Sequence, residues 1–450
     1  MDTYSSHHYA LYAHGPCNTV RRENPVFPSL LYVFFAVREG YRDITFVKRS
    51  IRTSYIVLAA VLLLAVLAAT LMRSFFTHSS GVTAGSPSQK TVVGHAFFIS
   101  SGLLAQNSNQ GITDRVQIDL RGLPPSQTGK SYYAWLLADT DTDASATALP
   151  LLLGVLSLKN GHAALSFQGD QQNSNLLNSY SRFLVTEEDA NTTPNSPSLD
   201  TATWRYYAAF SRTPNLEDTA NHFSMLDHLR HLLSQDPKIK AVGLVGGLDT
   251  WLFRNTLKTV EWSGSARDAY SSGDVGLMRR QLVRLLDYLD GSQFVQTENL
   301  PPDLAPLLVD PVIARVGLLE ISPTQTPPGY LKHIGNHLRE LVQSPGVTPG
   351  QKQLAININQ AINYVQAHFI AVHNDAAKLI RMTPDQLKQP DVLNTLNDMF
   401  VQANTAFVGQ TDPDTHQVKG GVAQVHYDIQ RLATFDVTTC TTGNTTNPCL

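Results

Sequence analysis

Two groups of polar residues in the C-terminal half have the spacing of metal ligands on a helix. His333, His337 and Glu340 stand at i, i+4 and i+7, which places them on one helical face. His228 and His231, three residues apart, form a second pair. Imidazole nitrogens and carboxylate oxygens are the ligands that Zn²⁺ takes besides thiolates. A metal centre is therefore one interpretation of this region.

The same residues do not form a known catalytic motif. In the H-E-x-x-H motif a glutamate follows the first histidine and acts as general base, whereas Ile334 follows His333 here. The chain has 15 histidines, so pairs at helical spacing are expected by chance. It has no G-x-S-x-G motif, and the glycines from Gly243 to Gly247 lack the lysine of a phosphate loop. The sequence predicts a protein that is not an enzyme, with no catalytic residues, no metal and no cofactor.

The residues around these histidines have a helical period. Thr348-Pro349-Gly350-Gln351 and Thr383-Pro384-Asp385-Gln386 are both typical of helix starts, with a capping hydroxyl followed by proline. Between them, apolar residues recur at spacings of four and three, which predicts a seam that packs on other helices: Ile358, Ile362, Val365, Phe369, Val372, Ala376 and Leu379. The pattern predicts an all-α domain of six to eight helices at about 218–436, with a tail at 437–450.

The region before these helices has the short apolar runs of strands. The runs are Val92–Ile99, Val116–Leu120, Tyr132–Leu137, Leu151–Leu158, Ala163–Phe167, Phe183–Thr186 and Trp204–Phe210. Residues in the second run alternate between apolar and polar, and Asn160-Gly161 is a strong hairpin signal. These features predict a β-sandwich at 92–211 that folds separately from the helical domain, with the connection at Thr213–Thr219.

Motifs within this region resemble a known family. The order of Arg121-Gly122-Leu123-Pro124-Pro125, Tyr132-Tyr133-Ala134-Trp135-Leu136, Leu153-Gly154-Val155 and Phe183-Leu184-Val185-Thr186-Glu187-Glu188 is similar to that of the outer domain of anti-sigma-K factors. The resemblance covers roughly residues 92–211. It implies one transmembrane helix before the outer domain and an inner segment that binds a sigma factor. The chain departs from the family in its inner segment, which lacks the family's frequent Cys-x-x-Cys zinc motif.

An apolar stretch provides the predicted membrane span. Tyr55–Met72 is 18 residues without charge, glycine or proline, and 54–76 is long enough to cross a bilayer. A fully buried core helix is the alternative interpretation. Residues 1–53 hold 7 Lys/Arg and 4 Asp/Glu, so the positive-inside rule predicts a cytoplasmic N-terminus, a stalk at 77–91 and external C-terminal domains.

The predicted fold class is a single transmembrane helix plus an extracytoplasmic β-sandwich followed by an all-α helical domain. The predicted function is that of a membrane-anchored regulator of anti-sigma type, which binds an unknown partner outside and controls a sigma factor through residues 1–53. The predicted contacts are apolar residues that so small a segment cannot bury: Leu30, Leu31, Phe34 and Phe35. A cell-envelope scaffold or binding protein is the alternative, and a metal binder or enzyme the third. Direct nucleic-acid binding is not predicted, because the chain after residue 53 is net acidic.

Three cysteines occur in the chain. Cys17 lies in the predicted inner segment, while Cys440 and Cys449 lie nine residues apart on the predicted outside. An oxidising exterior would allow those two to form a disulfide. Two unpaired thiols in a frayed tail are the alternative.

Overall fold

The computed structural model describes residues 91–104, 108–139, 148–295, 300–305, 307–411, 413–416, 418–440 and 449. The predicted cytoplasmic segment, membrane span and most of the predicted stalk lie outside these residues. The proposed sigma-factor contacts Leu30, Leu31, Phe34 and Phe35 lie outside them as well.

A nine-stranded antiparallel sheet forms one side of the described structure. The strands before the helices are β1 (Val92–Ile99), β2 (Arg115–Arg121), β3 (Lys130–Leu137), β4 (Leu151–Leu156), β5 (Leu158–Lys159), β6 (His162–Phe167), β7 (Arg182–Asp189) and β8 (Trp204–Ala209). The ninth member, β11 (Thr434–Thr439), follows the helices. Their order in the sheet is β4-β3-β7-β8-β11-β1-β2-β6-β5.

Local sequence explains these strands. Val116, Ile118 and Leu120 of β2 are buried, whereas Gln117 between them is exposed, as the alternation predicts. Asn160 and Gly161 have φ values of 53° and 74°, which allows the tight turn between β5 and β6. All seven predicted apolar runs correspond to strands, and the run Leu151–Leu158 is divided between β4 and β5.

The sheet is strongly curved. Its β4 and β6 approach each other, and a Cβ atom added to Gly154 would lie 3.3 Å from a methyl carbon of Leu165. The concave side is filled by aromatic rings: the Phe435 ring lies 4.1 Å from that of Phe210 and 5.6 Å from that of Phe98. The curvature therefore gives one sheet an enclosed apolar interior.

Nine helices pack beside the sheet in the described ranges. They are α1 (Met225–Leu233), α2 (Pro237–Ala241), α3 (Leu248–Ser271), α4 (Val275–Asp290), α5 (Ser292–Val295), α6 (Tyr330–Gln343), α7 (Pro349–Ile380), α8 (Pro390–Val408) and α9 (Val422–Arg431). A small hairpin of β9 (Gln410–Thr411) and β10 (Val418–Lys419) lies between the last two helices.

Helix α7 follows its predicted start and seam. The Thr348 side chain accepts a hydrogen bond from the Gln351 backbone N–H, and the Gln351 side chain accepts one from the Thr348 N–H. All seven seam residues are buried. The same reciprocal hydrogen bonds join Thr383 and Gln386, but they begin a three-residue 3₁₀ turn, and α8 starts later, at Pro390.

The predicted fold class is wrong in the way it divides the chain. Strand β11 follows all nine described helices, yet it lies between β8 and β1 and pairs with both. The helices are thus inserted between two neighbouring strands of one sheet, and buried residues of both parts form a single apolar core. A β-sandwich followed by a helical domain does not describe this topology. Alternation identifies strands but not their partners, so β11 could not be assigned to the sheet.

The membrane part of that fold class also requires correction. In the part of the chain that the structure describes, no helix is long and apolar enough to cross a membrane. The transmembrane and single-pass assignments are therefore not supported there, and the predicted span at 54–76 lies outside the described residues.

A disulfide joins Cys440 and Cys449. It lies against the convex face of the sheet, where it packs in a small apolar cluster with Trp135, Leu184 and Tyr207. The backbone N–H of Cys440 also donates a hydrogen bond to the carbonyl of Arg205 in β8. The bond therefore holds Cys449 against the sheet.

Candidate functional site

Four histidines from two helices meet in the interior beside the sheet. Helix α1 carries His228 and His231, and a capping box between Ser224 and Asp227 fixes its first turn. Helix α6 packs against α1 and carries His333 and His337 on its buried face. The i, i+3 and i, i+4 spacings turn both pairs towards the same interface.

Asp236 supplies a carboxylate to this group. It caps the N-terminus of α2, where its Oδ1 accepts hydrogen bonds from the backbone N–H groups of Lys238 and Ile239. Its Oδ2 lies 3.4 Å from His337 Nε2, 3.5 Å from His333 Nε2 and 4.0 Å from His231 Nδ1. The cap therefore holds one carboxylate oxygen among three imidazole rings.

His228 and Glu340 extend the group on the other side of the His337 ring. His228 Nδ1 lies 3.0 Å from His337 Nδ1. Glu340 is one turn further along α6 and is half-buried. The ring of Phe223 covers the group, with its centroid 4.7 Å from that of His231 and 5.7 Å from that of His228. We refer to His228, His231, Asp236, His333, His337 and Glu340 as the histidine cluster.

Burial sets the protonation of the cluster. Loss of solvation lowers the pKa of His228 and His333 to about 3 and that of His231 to about 4. Burial opposes the ionisation of Asp236, but its interactions with His337, His333 and the Ile239 N–H outweigh this and lower its pKa to about 2. At neutral pH these three rings are neutral and the carboxylate is charged, the forms in which both groups bind metals.

Several ring nitrogens of the cluster have no hydrogen-bond partner among the described residues. They are His228 Nε2, His231 Nδ1, His333 Nδ1, His333 Nε2 and His337 Nε2, all buried. A buried polar atom without a partner costs roughly 1–3 kcal/mol, and proteins seldom contain several together. These atoms make the cluster a candidate ligand-binding site, because their chemistry is that of metal ligands.

The spacing of these atoms fits ligands around a metal ion. Two sets have their ligand atoms within 4.8 Å of one another: His228, His337 and Glu340, and His231, Asp236 and His337. Metal–nitrogen bonds of about 2.0–2.1 Å in tetrahedral geometry place neighbouring ligand atoms about 3.3 Å apart. The separations of 3.0, 3.4 and 3.5 Å within the cluster are close to that value.

Two surface grooves in the described ranges lie away from the cluster. A groove of about 700 Å³ lies beside β1 and β2 and is lined by His95, Asp119 and Arg121. Another of about 290 Å³ is lined by Glu320 and Lys332, near the start of α6. Neither of these two grooves includes a cluster residue.

The structure brings together the five polar residues of the C-terminal half that have the spacing of metal ligands in the sequence. Sequence spacing did not show that α1 and α6 face each other, so it predicted no metal site. Asp236 was missed altogether, although Asp before Pro237 is a recognisable helix-start signal that could have identified it. The predictions of no metal, no cofactor and no catalytic residues stay predictions.

A separate pair of buried carboxyls lies on α4, outside the cluster. Burial and the nearby Asp290 raise the pKa of Asp287 to about 7, although its Oδ2 accepts a hydrogen bond from the Leu308 N–H. Asp290 Oδ2 lies 3.3 Å from His373 Nε2. Asp287 thus stays protonated in weakly acidic solution.

We expect Asp287→Asn to stabilise the protein above pH 7. The unfolded chain releases the Asp287 proton near pH 4 while the folded chain retains it to about pH 7, so the free energy of unfolding falls as pH rises between those values. An asparagine side chain keeps an oxygen that can accept the hydrogen bond from the Leu308 N–H, but it does not titrate. The free energy of unfolding of the variant should therefore not fall in this way. Urea denaturation from pH 4 to 8 measures it, with the exposed Asp268→Asn as control. Parallel pH profiles for wild type and Asp287→Asn would contradict the prediction.

Comparison with known proteins does not supply a function. No family model, curated protein or solved structure matches the chain. The anti-sigma assignment therefore gains no support, and the resemblance to anti-sigma-K factors stays a prediction from short motifs. The histidine cluster, with its neutral buried imidazoles and its ionised carboxylate, is the feature of the described structure from which a function can be argued.

Proposed function

We propose that the protein binds a divalent transition-metal ion, with Zn²⁺ as the best match, through the histidine cluster. The observation that carries the proposal is the set of buried imidazole nitrogens without hydrogen-bond partners among the described residues, arranged around one ionised carboxylate oxygen. Nitrogen-rich donor sets favour Zn²⁺ and its neighbours over Ca²⁺ and Mg²⁺, which prefer oxygen ligands.

A bound metal ion would join three parts of the helical region. Its ligands come from α1, from the residue that caps α2, and from α6. Because the unfolded chain does not hold these ligands together, binding stabilises the folded state. A free metal concentration of 100 times Kd contributes about 2.7 kcal/mol. The metal would thus fix the contact between α1 and α6.

We expect purified protein to carry at least one equivalent of Zn²⁺ and to lose it when the cluster is altered. The sequence alone predicts that His333→Ala combined with His337→Ala leaves metal content unchanged, whereas the geometry predicts its loss. Elemental analysis after gel filtration measures the content. His368→Ala on α7 is the matched control, because His368 is hydrogen-bonded to Gln402 and lies outside the cluster.

A second measurement separates metal loss from misfolding. Asp236→Asn keeps an oxygen that can cap α2 but removes the charge, so it should fold and bind Zn²⁺ more weakly. Added Zn²⁺ should raise the melting temperature of metal-free wild type, and Mg²⁺ should not. Folded wild-type protein that takes up no Zn²⁺, Co²⁺ or Ni²⁺ would overturn the proposal.

A further inference from the structure

The two sets of candidate ligands share one residue, and they use opposite sides of its ring. His337 Nδ1 faces His228 Nδ1 at 3.0 Å, while His337 Nε2 faces Asp236 Oδ2 at 3.4 Å. The first set is completed by Glu340 and the second by His231. Because the two lone-pair directions of an imidazole diverge, a single ion cannot be bound by both nitrogens of His337.

We propose that the cluster holds two metal ions, one on each side of His337, with the ring of His337 as the bridge. This inference rests on the proposed metal-binding function and deepens it. One ion is bound by His228, Glu340 and His337 Nδ1, and the other by His231, Asp236 and His337 Nε2. For both ring nitrogens to donate a lone pair, His337 gives up its N–H proton to solvent and binds as imidazolate.

The surroundings make the two positions unequal. His333 Nε2 lies 3.5 Å from Asp236 Oδ2, so His333 can add a fourth ligand to the ion on that side. Asp236, His231 and His333 are all buried, which gives that position the character of a closed structural site. The position beside His228 has three protein ligands in its set, and half-buried Glu340 lies at its outer end. An open coordination position is the mark of a site where an ion can take up a further small ligand.

Stoichiometry tests this arrangement with conservative variants. Calorimetric titration of the metal-free protein with Zn²⁺, followed by elemental analysis, should give two equivalents for wild type. Glu340→Gln removes a ligand of one ion and Asp236→Asn a ligand of the other, so each should retain one equivalent. His337→Gln should weaken both sites. Circular dichroism of each variant establishes that it is folded.

Copper supplies a second readout, which reports the bridge itself. Two Cu²⁺ ions joined by an imidazolate ring are magnetically coupled, so wild type loaded with two Cu²⁺ should give a weaker doublet signal per copper in electron paramagnetic resonance than Glu340→Gln loaded with one. One equivalent of Zn²⁺ in wild type would overturn the two-metal arrangement and leave the proposed function standing. Two equivalents with two independent copper signals would overturn the bridge. No metal at all would overturn both proposals.

Discussion

Phe435→Ala is expected to destabilise the sheet and the helices together, by about 3–5 kcal/mol. Phe435 lies on β11, is 2% exposed and packs against Phe98, Phe183 and Phe210 on the concave side of the sheet. Truncation leaves a cavity in the apolar core that both parts share. Urea denaturation should therefore show the helical circular dichroism and the tryptophan fluorescence lost in one transition at a lower midpoint.

The control for this prediction lies on the same strand. Thr439 is exposed, so Thr439→Ala should leave the urea midpoint nearly unchanged. Two of the four tryptophans lie on strands and two lie on α3. If Phe435→Ala split the fluorescence transition into two steps and left the helical signal at its wild-type midpoint, the helices would be a separately stable domain. The domain boundary that the sequence predicts near residue 218 would then describe the stability of the protein better than the shared sheet does.

His426→Ala is expected to cost a similar amount for an electrostatic reason. His426 on α9 and Asp249 on α3 form a buried pair, with 2.8 Å between His426 Nδ1 and Asp249 Oδ2 and side chains 6% and 1% exposed. Removal of one partner leaves the other buried without its counterion, which typically costs about 3–5 kcal/mol. Chemical denaturation near pH 6 measures the loss.

The surface provides a matched pair for comparison. His95 Nδ1 lies 3.0 Å from Asp436 Oδ1, but these side chains are 53% and 34% exposed. His95→Ala should therefore cost less than about 1 kcal/mol. If His95→Ala and His426→Ala lowered the free energy of unfolding equally, burial would not determine how much the Asp249–His426 pair contributes to stability.

The buried pair also predicts a pH dependence. Burial opposes the charged imidazole of His426, but the attraction of Asp249 outweighs it and raises the pKa of His426 above its usual value. A histidine whose pKa is raised by folding contributes its full stability below the unfolded pKa of about 6.5 and loses it as pH rises through the folded pKa. The difference in unfolding free energy between wild type and His426→Ala should accordingly shrink above pH 6.5. A difference that grows with pH would contradict this assignment.

The sequence allowed the elements to be predicted better than their arrangement. The alternation in β2, the Asn160-Gly161 turn and the seam of α7 are local patterns, and each appears where it was predicted. The partner of β1 is not a local property. Thr434–Thr439 was divided between a helical domain and a tail, because six residues after a helix carry no sign of the strand that they will join.

In the histidine cluster as well, the spacings along each helix could be predicted from the sequence, but the contacts between helices could not. The spacings of His228 with His231 and of His333 with His337 are visible in the sequence, but the 3.0 Å contact between His228 and His337 joins residues 109 positions apart. In the sequence, these two pairs cannot be distinguished from pairs that occur by chance among 15 histidines. Only the packing of α1 against α6 in the structure distinguishes them. Asp236 could be recognised as a helix cap, yet nothing in its neighbours indicates that its second oxygen points at three imidazoles.

The position of β11 has a consequence for the chain during its synthesis. His95 in β1 and Asp436 in β11 are neighbours in the sheet but lie 341 residues apart in sequence. At the usual rates of translation, roughly 20–70 s pass between the appearance of the first and the last of these strands. From its own synthesis until β11 appears, each of β1 and β8 presents an open edge to other nascent chains, a setting in which edge-to-edge aggregation begins. Before β11 is made, the sheet thus lacks the strand that joins β8 to β1.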